Sequence, residues 1–227
     1  MTRASLTRPF VGSSKPAYDE DVLVGRHEER RLIGSLLSAA RRRVSGVLVL
    51  RGEAGIGKTA LLEHAAASAD GMHVLRTRRI ESESELAFSG SLELLRPVLG
   101  HLDRLPERQA AALRGALALE AAADDDSFVV YAGMLNLLAA ASEQRPLLAL
   151  IDDAQWLDHG SAAGLAFASR RLGSEGIVFL WAIRDGEPMG HGVLSRKAMP
   201  SAVMASERIR STMESVIDLT VGRASGS

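Results

Sequence analysis

The chain has 227 residues, is 46% hydrophobic and 24% charged, and carries a formal net charge of −1. That length suits one fair-sized α/β domain, and the near-neutral balance offers no basic surface for a nucleic acid. With no cysteine in the chain, disulfides and thiolate metal sites are excluded.

The opening stretch MTRASLTRPFVGSSKPAYDE lacks the apolar core of a secretory signal. No apolar run approaches the roughly 20 residues of a membrane span. Residues 1–20 therefore read as a flexible lead-in, and the protein as cytoplasmic with no membrane partner. Order is expected from Leu23-Val24-Gly25-Arg26, ahead of a helix that reaches Arg43. Leu32, Ile33, Leu36, Leu37 and Ala40 fall at helical spacing and give it one apolar face. Arg41–Arg43 occupy its last turn, where cations suit the carboxyl end of the helix dipole.

Val47–Leu50 is a continuous aliphatic run, the pattern of a strand buried on both faces. It leads into Gly52-Glu53-Ala54-Gly55-Ile56-Gly57-Lys58-Thr59 and then Ala60, Leu61 and Leu62, a good helix opening. Strand, glycine loop, lysine, hydroxyl and helix, in that order, are what a phosphate-binding P-loop needs. Gly52, Gly55 and Gly57 let successive N–H groups turn towards one anion, at which the following helix aims its positive end. The residues from Gly52 to Ala60 are thus candidate ATP-binding residues. Lys58 can reach the β- and γ-phosphates, and the Thr59 hydroxyl can take one Mg²⁺ position. Lys15, Lys58 and Lys197 are the only lysines, arginine supplying every other cation. A forked arginine would not fit where a compact ammonium meets phosphate.

After an expected helix end at Ala69, HVLRT (His73–Thr77) reads as a second strand and Ser82–Ser91 as a loop. Helices are expected over Leu92–Leu102, Pro106–Leu119 and Ser127–Ser142. The acids Asp124–Asp126 read as helix-capping residues rather than a cation site. Leu147–Asp158, LLALIDDAQWLD, is an aliphatic run ending in two carboxylates, a parallel strand whose acids emerge at the ligand-binding end of the sheet. Beside a P-loop, Asp152 would hold Mg²⁺ and Asp153 would orient or activate the attacking water. Asp158 is expected to cap a helix over Ser161–Leu172, with Trp156 packing. IVFLWAI (Ile177–Ile183) reads as a third buried strand ending at Arg184, either a sensor of the γ-phosphate or a solvated strand end. Beyond Pro188 the pattern fades. Met189–Ser201 is unpatterned, Ala202–Met213 suggests a helix and Val216–Val221 one more strand. The fold these elements define is α/β, a P-loop domain with its parallel sheet flanked by helices, and its resemblance to P-loop NTPases of ASCE/AAA-like type implies three layers.

The strings LVGRHEERRLI, RGEAGIGKTALL, ESELAFSGSLELLRPVL and LLALIDDAQWLD, with Arg184 at a strand end, together resemble the ATPase domain of the large LuxR-type (MalT-like) bacterial regulators. These belong to the STAND, or Orc1-like AAA, branch of P-loop ATPases. The resemblance covers roughly Leu23 to Pro188. It implies that Gly25 and Arg26 contact the adenine side and that Arg184 acts as a sensor. It further implies an ATPase domain over residues 21–188, with Mg–ATP binding and slow hydrolysis as a switch. ATP or ADP would be the ligand, and self-association or a regulatory protein the partner. Family members continue into a helical lid, a helical-repeat region and a helix-turn-helix. The tail, 189–227, is atypical and carries no DNA-binding motif, so the expectation is of a shortened regulator. The alternatives are a nucleotide-binding module with little turnover and a P-loop small-molecule kinase.

Overall fold

The computed structural model describes residues 25–81, 86–119 and 126–186, together with the backbone of 216–219. The first helix, α1 (His27–Arg41), carries the apolar stripe read from its spacing: Leu32, Ile33, Leu36, Leu37 and Ala40 are all buried. It stops two residues short of the expected end because Arg43 turns to φ +66°, outside the helical region. The arginines there serve the neighbouring segments. Arg41 donates to the carbonyls of Ser68 and Asp70, and Arg43 to those of Ser142, Glu143 and Glu175.

The sheet contains β1 (Gly46–Gly52), β2 (His73–Arg78), β3 (Leu147–Asp152), β4 (Ile177–Arg184) and β5 (Val216–Leu219). All neighbours are parallel, in the order β2-β3-β4-β1-β5. Thus β4 lies between the glycine-loop strand and the acidic strand. Each central strand is apolar on both faces because both are covered. Val47, Val49, Leu147, Ala149, Ile151, Phe179, Trp181 and Ile183 point to one face. On that side lie α3 (Ser89–Leu95), α5 (Ser127–Ser142) and α6 (His159–Ser169), with α4 (Glu107–Ala116) packed on α5. Leu48, Leu50, Leu148, Leu150, Val178, Leu180 and Ala182 point to the other, against α1 and α2 (Lys58–Ala67). Two separate cores on one sheet make the three layers.

Some expectations need correction. The helix assigned to Leu92–Leu102 is α3 followed by a tighter 3₁₀ segment, Arg96–Arg104. Pro97 lacks the N–H that an α-helix would use there, and the chain tightens instead. Helix α3 also begins at Ser89, inside the expected loop. The glycine-loop helix ends at Ala67, before Ala69, and α6 spans His159–Ser169 rather than reaching Leu172. Asp126 caps α5 by accepting from Phe128 N–H at 3.0 Å, as expected of one of the three acids. The helix expected over Ala202–Met213 and the stretch Met189–Ser201 lie outside the described residues. Among the described residues no helix is long and apolar enough to cross a membrane.

Candidate functional site

Strand β1 closes at Gly52, and the chain then turns through Gly55 (φ +78°) and Gly57 (φ +98°). These two glycines, not Gly52, adopt the left-handed conformation that a side chain would strain. Gly57 stands immediately before α2, whose start is capped by no side chain. Its first N–H groups therefore face the loop. Glu53, Ala54 and Gly55 are exposed, Ile56, Gly57 and Ala60 half-buried.

Lys58 is 8% exposed and folds back over the loop, donating to the carbonyls of Gly52 at 2.8 Å and Glu53 at 2.7 Å. Burial lowers its pKa. The nearby carboxylates of Asp153, Asp152 and Asp185 oppose that shift, while the Arg184 guanidinium adds to it. The same charges show that the sheet brings Lys58, both acids and Arg184 to one edge.

The next residue makes the closest link between the two halves of the site. Thr59 donates its hydroxyl to Asp152 Oδ2 at 2.9 Å, across 93 positions of sequence. Asp152 ends β3 at 7% exposure. Burial raises its pKa, the Thr59 bond lowers it, and the adjacent Asp153 charge raises it again. Its other oxygen accepts the Asp153 N–H at 3.0 Å. Asp153 itself sits at φ +50°, turning the chain sharply out of the strand into a short 3₁₀ turn, Ala154–Trp156. Trp156 is half-buried, as suits a packing role.

Arg184 N–H donates to Gln155 Oε1 at 3.2 Å, and its side chain is exposed at the end of β4. Arg26 pairs with Glu29 at 2.9 Å and donates to the carbonyl of Ile56, so it braces the glycine loop from the side of α1. Gly25 precedes it at φ +80°.

Two residues, Arg78 and Gln155, escaped the sequence reading, and Asp158 was read only in part. Arg78, one position past the expected end of β2, lies 3.9 Å from Asp152 and 3.8 Å from Asp153. Gln155 bridges Asp153 and Arg184. Asp158 does cap α6 through Ser161 N–H at 2.9 Å, and it also accepts from Phe88 at 2.7 Å and Gly90 at 3.2 Å. One buried carboxylate thereby joins the exit of the acidic strand to the start of α3. A signal for Arg78 was present in the strand's last cation; those for Gln155 and Asp158 needed the neighbouring element.

The donor set of Thr59 hydroxyl and Asp152 carboxylate is made of hard oxygens, which fits a magnesium ion sharing its shell with phosphate. Among the described residues no group of three or more His, Cys, Asp or Glu could hold a metal ion by itself.

Sheet order, glycine loop and paired acids define a three-layer P-loop fold of the nucleotide-binding kind. A family model described as "AAA ATPase domain" matches residues 22–180, and the chain belongs to that family. Membership implies nucleotide binding. Among solved structures the chain is similar to a Walker-type ATPase of Pyrococcus abyssi, at 15% identity and a TM-score of 0.40, over 70% of this chain and 44% of that one. It is also similar to PCH-2 of C. elegans, at 14% identity and a TM-score of 0.40, over 88% of this chain and 43% of that one. The chain spans less than half the length of each. No curated protein matches it.

Proposed function

We propose that the protein is a regulatory ATPase module that binds Mg–ATP and hydrolyses it slowly as a switch. The observation that carries this reading is the 2.9 Å contact between Thr59 and Asp152. It joins the hydroxyl of a phosphate loop to a buried carboxylate on another strand, the two protein ligands a nucleotide-bound magnesium requires.

Each residue then has a task. The N–H groups from Gly52 to Ala60 and the start of α2 hold the phosphates. Lys58 exchanges its two carbonyl partners for the β/γ oxygens, and Thr59 and Asp152 hold Mg²⁺. Bound Mg–ATP would supply the phosphoryl group, and its cation would offset the charge that develops there. Asp153 orients the attacking water and accepts its proton. Arg184, exposed at the strand end, reads the γ-phosphate, while Gly25 and Arg26 face the adenine side. Residues 21–188 form the ATPase domain on this reading, with 1–20 and 189–227 outside it. Kinship with the STAND ATPases of LuxR-type regulators is supported by the strings GEAGIGKT and DDAQWLD in one chain. A regulatory protein or a second copy is the partner such a switch requires.

Calorimetric titration with Mg–ATP, followed by phosphate release, tests the proposal. Binding in the micromolar range with turnover that stops when Mg²⁺ is chelated is the expected result. A protein with no affinity for Mg–ATP or Mg–ADP would overturn it.

A further inference from the structure

We propose that Gln155 is a positioning residue whose side-chain amide orients the Asp153 carboxylate and ties it to the end of β4. Gln155 is 6% exposed, so both its donor and its acceptor need protein partners. Its Nε2 donates to Asp153 Oδ1 at 3.1 Å, and its Oε1 accepts the Arg184 N–H at 3.2 Å. Chemistry forces this orientation: an ionised carboxylate only accepts, and a backbone N–H only donates. An amide satisfies both partners at once, whereas a carboxylate or a hydrocarbon of the same length cannot.

The geometry around Asp153 gives the bridge a purpose. Asp153 leaves β3 in the left-handed region, and its side chain is 32% exposed. A carboxylate there has room to rotate. Holding Oδ1 leaves Oδ2 outside the amide bridge, 3.8 Å from Arg78 Nε. That oxygen is the one able to accept a proton from water. The bridge also means that a shift of Arg184, on the neighbouring strand, reaches Asp153 through a single side chain. The inference rests on the hydrolytic reading of the site given above.

Two substitutions separate the arms. Gln155→Met keeps length and packing and removes both hydrogen bonds. Gln155→Glu keeps the acceptor for Arg184 N–H but sets a second carboxylate against Asp153. Three quantities decide the matter: amide exchange at Arg184 in the nucleotide-free protein, the Kd for Mg–ATP, and single-turnover hydrolysis. In Gln155→Met, Arg184 exchange should quicken by about 10-fold or more and hydrolysis fall by about 10- to 100-fold, the scale of a misplaced reacting group. The Kd should change less than about 3-fold. In Gln155→Glu, hydrolysis should fall as far while Arg184 stays protected. Hydrolysis within about 2-fold of wild type in Gln155→Glu, or affinity and rate falling in proportion in either variant, would overturn the positioning role. If the wild-type protein binds Mg–ATP and never releases phosphate, the hydrolytic reading alone fails. The bridge then stands or falls on Arg184 exchange, which Gln155→Met must raise and Gln155→Glu must not.

Discussion

At the amino-terminal end of the sheet, Ser45 accepts the N–H groups of Gly176 and Ile177, both at 3.1 Å, and donates to Glu175. Arg43 there reaches three backbone carbonyls from two other segments. At the carboxyl end, Lys58 and Asp152 are nearly as deeply buried, yet each is pushed towards its neutral form by burial. Asp152 has another acid as its sequence neighbour, and Lys58 feels Arg184. One end spends its polar groups on closing the chain; the other holds charges in an arrangement that a merely structural sheet end would avoid. The contrast marks the carboxyl end as the candidate site without reference to any ligand.

Substitutions at the two ends should therefore fail in different ways. The largest effect is expected at Asp153. Asp153→Asn keeps size but removes the charge proposed to handle water, so single-turnover hydrolysis should fall by about 10²–10⁴ with Mg–ATP binding spared. Lost Mg–ATP binding in Asp153→Asn, with binding kept in Asp152→Asn, would reverse the roles given to the two acids. Next comes Lys58→Ala, which removes the ammonium from the loop. ATP affinity should weaken by about 2–4 kcal/mol, by analogy with removal of a charge-stabilising donor. Unchanged affinity by calorimetry would remove Lys58 from the site.

At the opposite end, Gly176 has φ +76°, and an added Cβ would lie 2.6 Å from the Ala40 carbonyl oxygen. Gly176→Ala should cost about 1–3 kcal/mol in chemical denaturation and leave the Kd for Mg–ATP unchanged. A loss of affinity at constant stability would blur the separation of the two ends. The smallest effect carries the opposite sign. Burial holds the Asp152 carboxyl above its usual range, so the folded state retains a proton that the unfolded state releases. Wild-type stability therefore declines as pH rises from the unfolded pKa, about 3.9, through the folded value. Asp152→Asn has no such charge. It should raise the Tm of the nucleotide-free protein by a few degrees at pH 7, an advantage that vanishes as pH falls through the same window. Mg²⁺-dependent binding should weaken in the same variant.

The sequence made the two principal elements of the site readable, for distinct reasons. Val47–Leu50 and Leu147–Ile151 are continuous aliphatic runs because both faces of their strands are covered, and each run ends where the side-chain chemistry changes. Glycine spacing then specifies the loop locally. Gln155 was opaque because its meaning depends on Arg184, 29 positions away, arriving beside it. Asp158 was half-read for a similar reason. Its bond to Ser161 is local, whereas those to Phe88 and Gly90 cross about 70 residues. The break at Pro97, like Arg78 at the end of β2, was a local signal passed over, an apolar stripe having outweighed a missing N–H.

Strand β4 sits between β1 and β3, yet it is the last of the three to leave the ribosome. Until residues 177–184 are inserted, β1 and β3 have no common neighbour, and Lys58 and Thr59 have no fixed relation to Asp152. A partly synthesised chain thus exposes two aliphatic strand edges with unpaired amides, the kind of surface on which chains associate wrongly. Pairing over such long sequence separations is also slow to form. The assembly of the candidate site and the joining of β1 to β3 through β4 are consequently one folding event, while the other edge of β1 waits for β5.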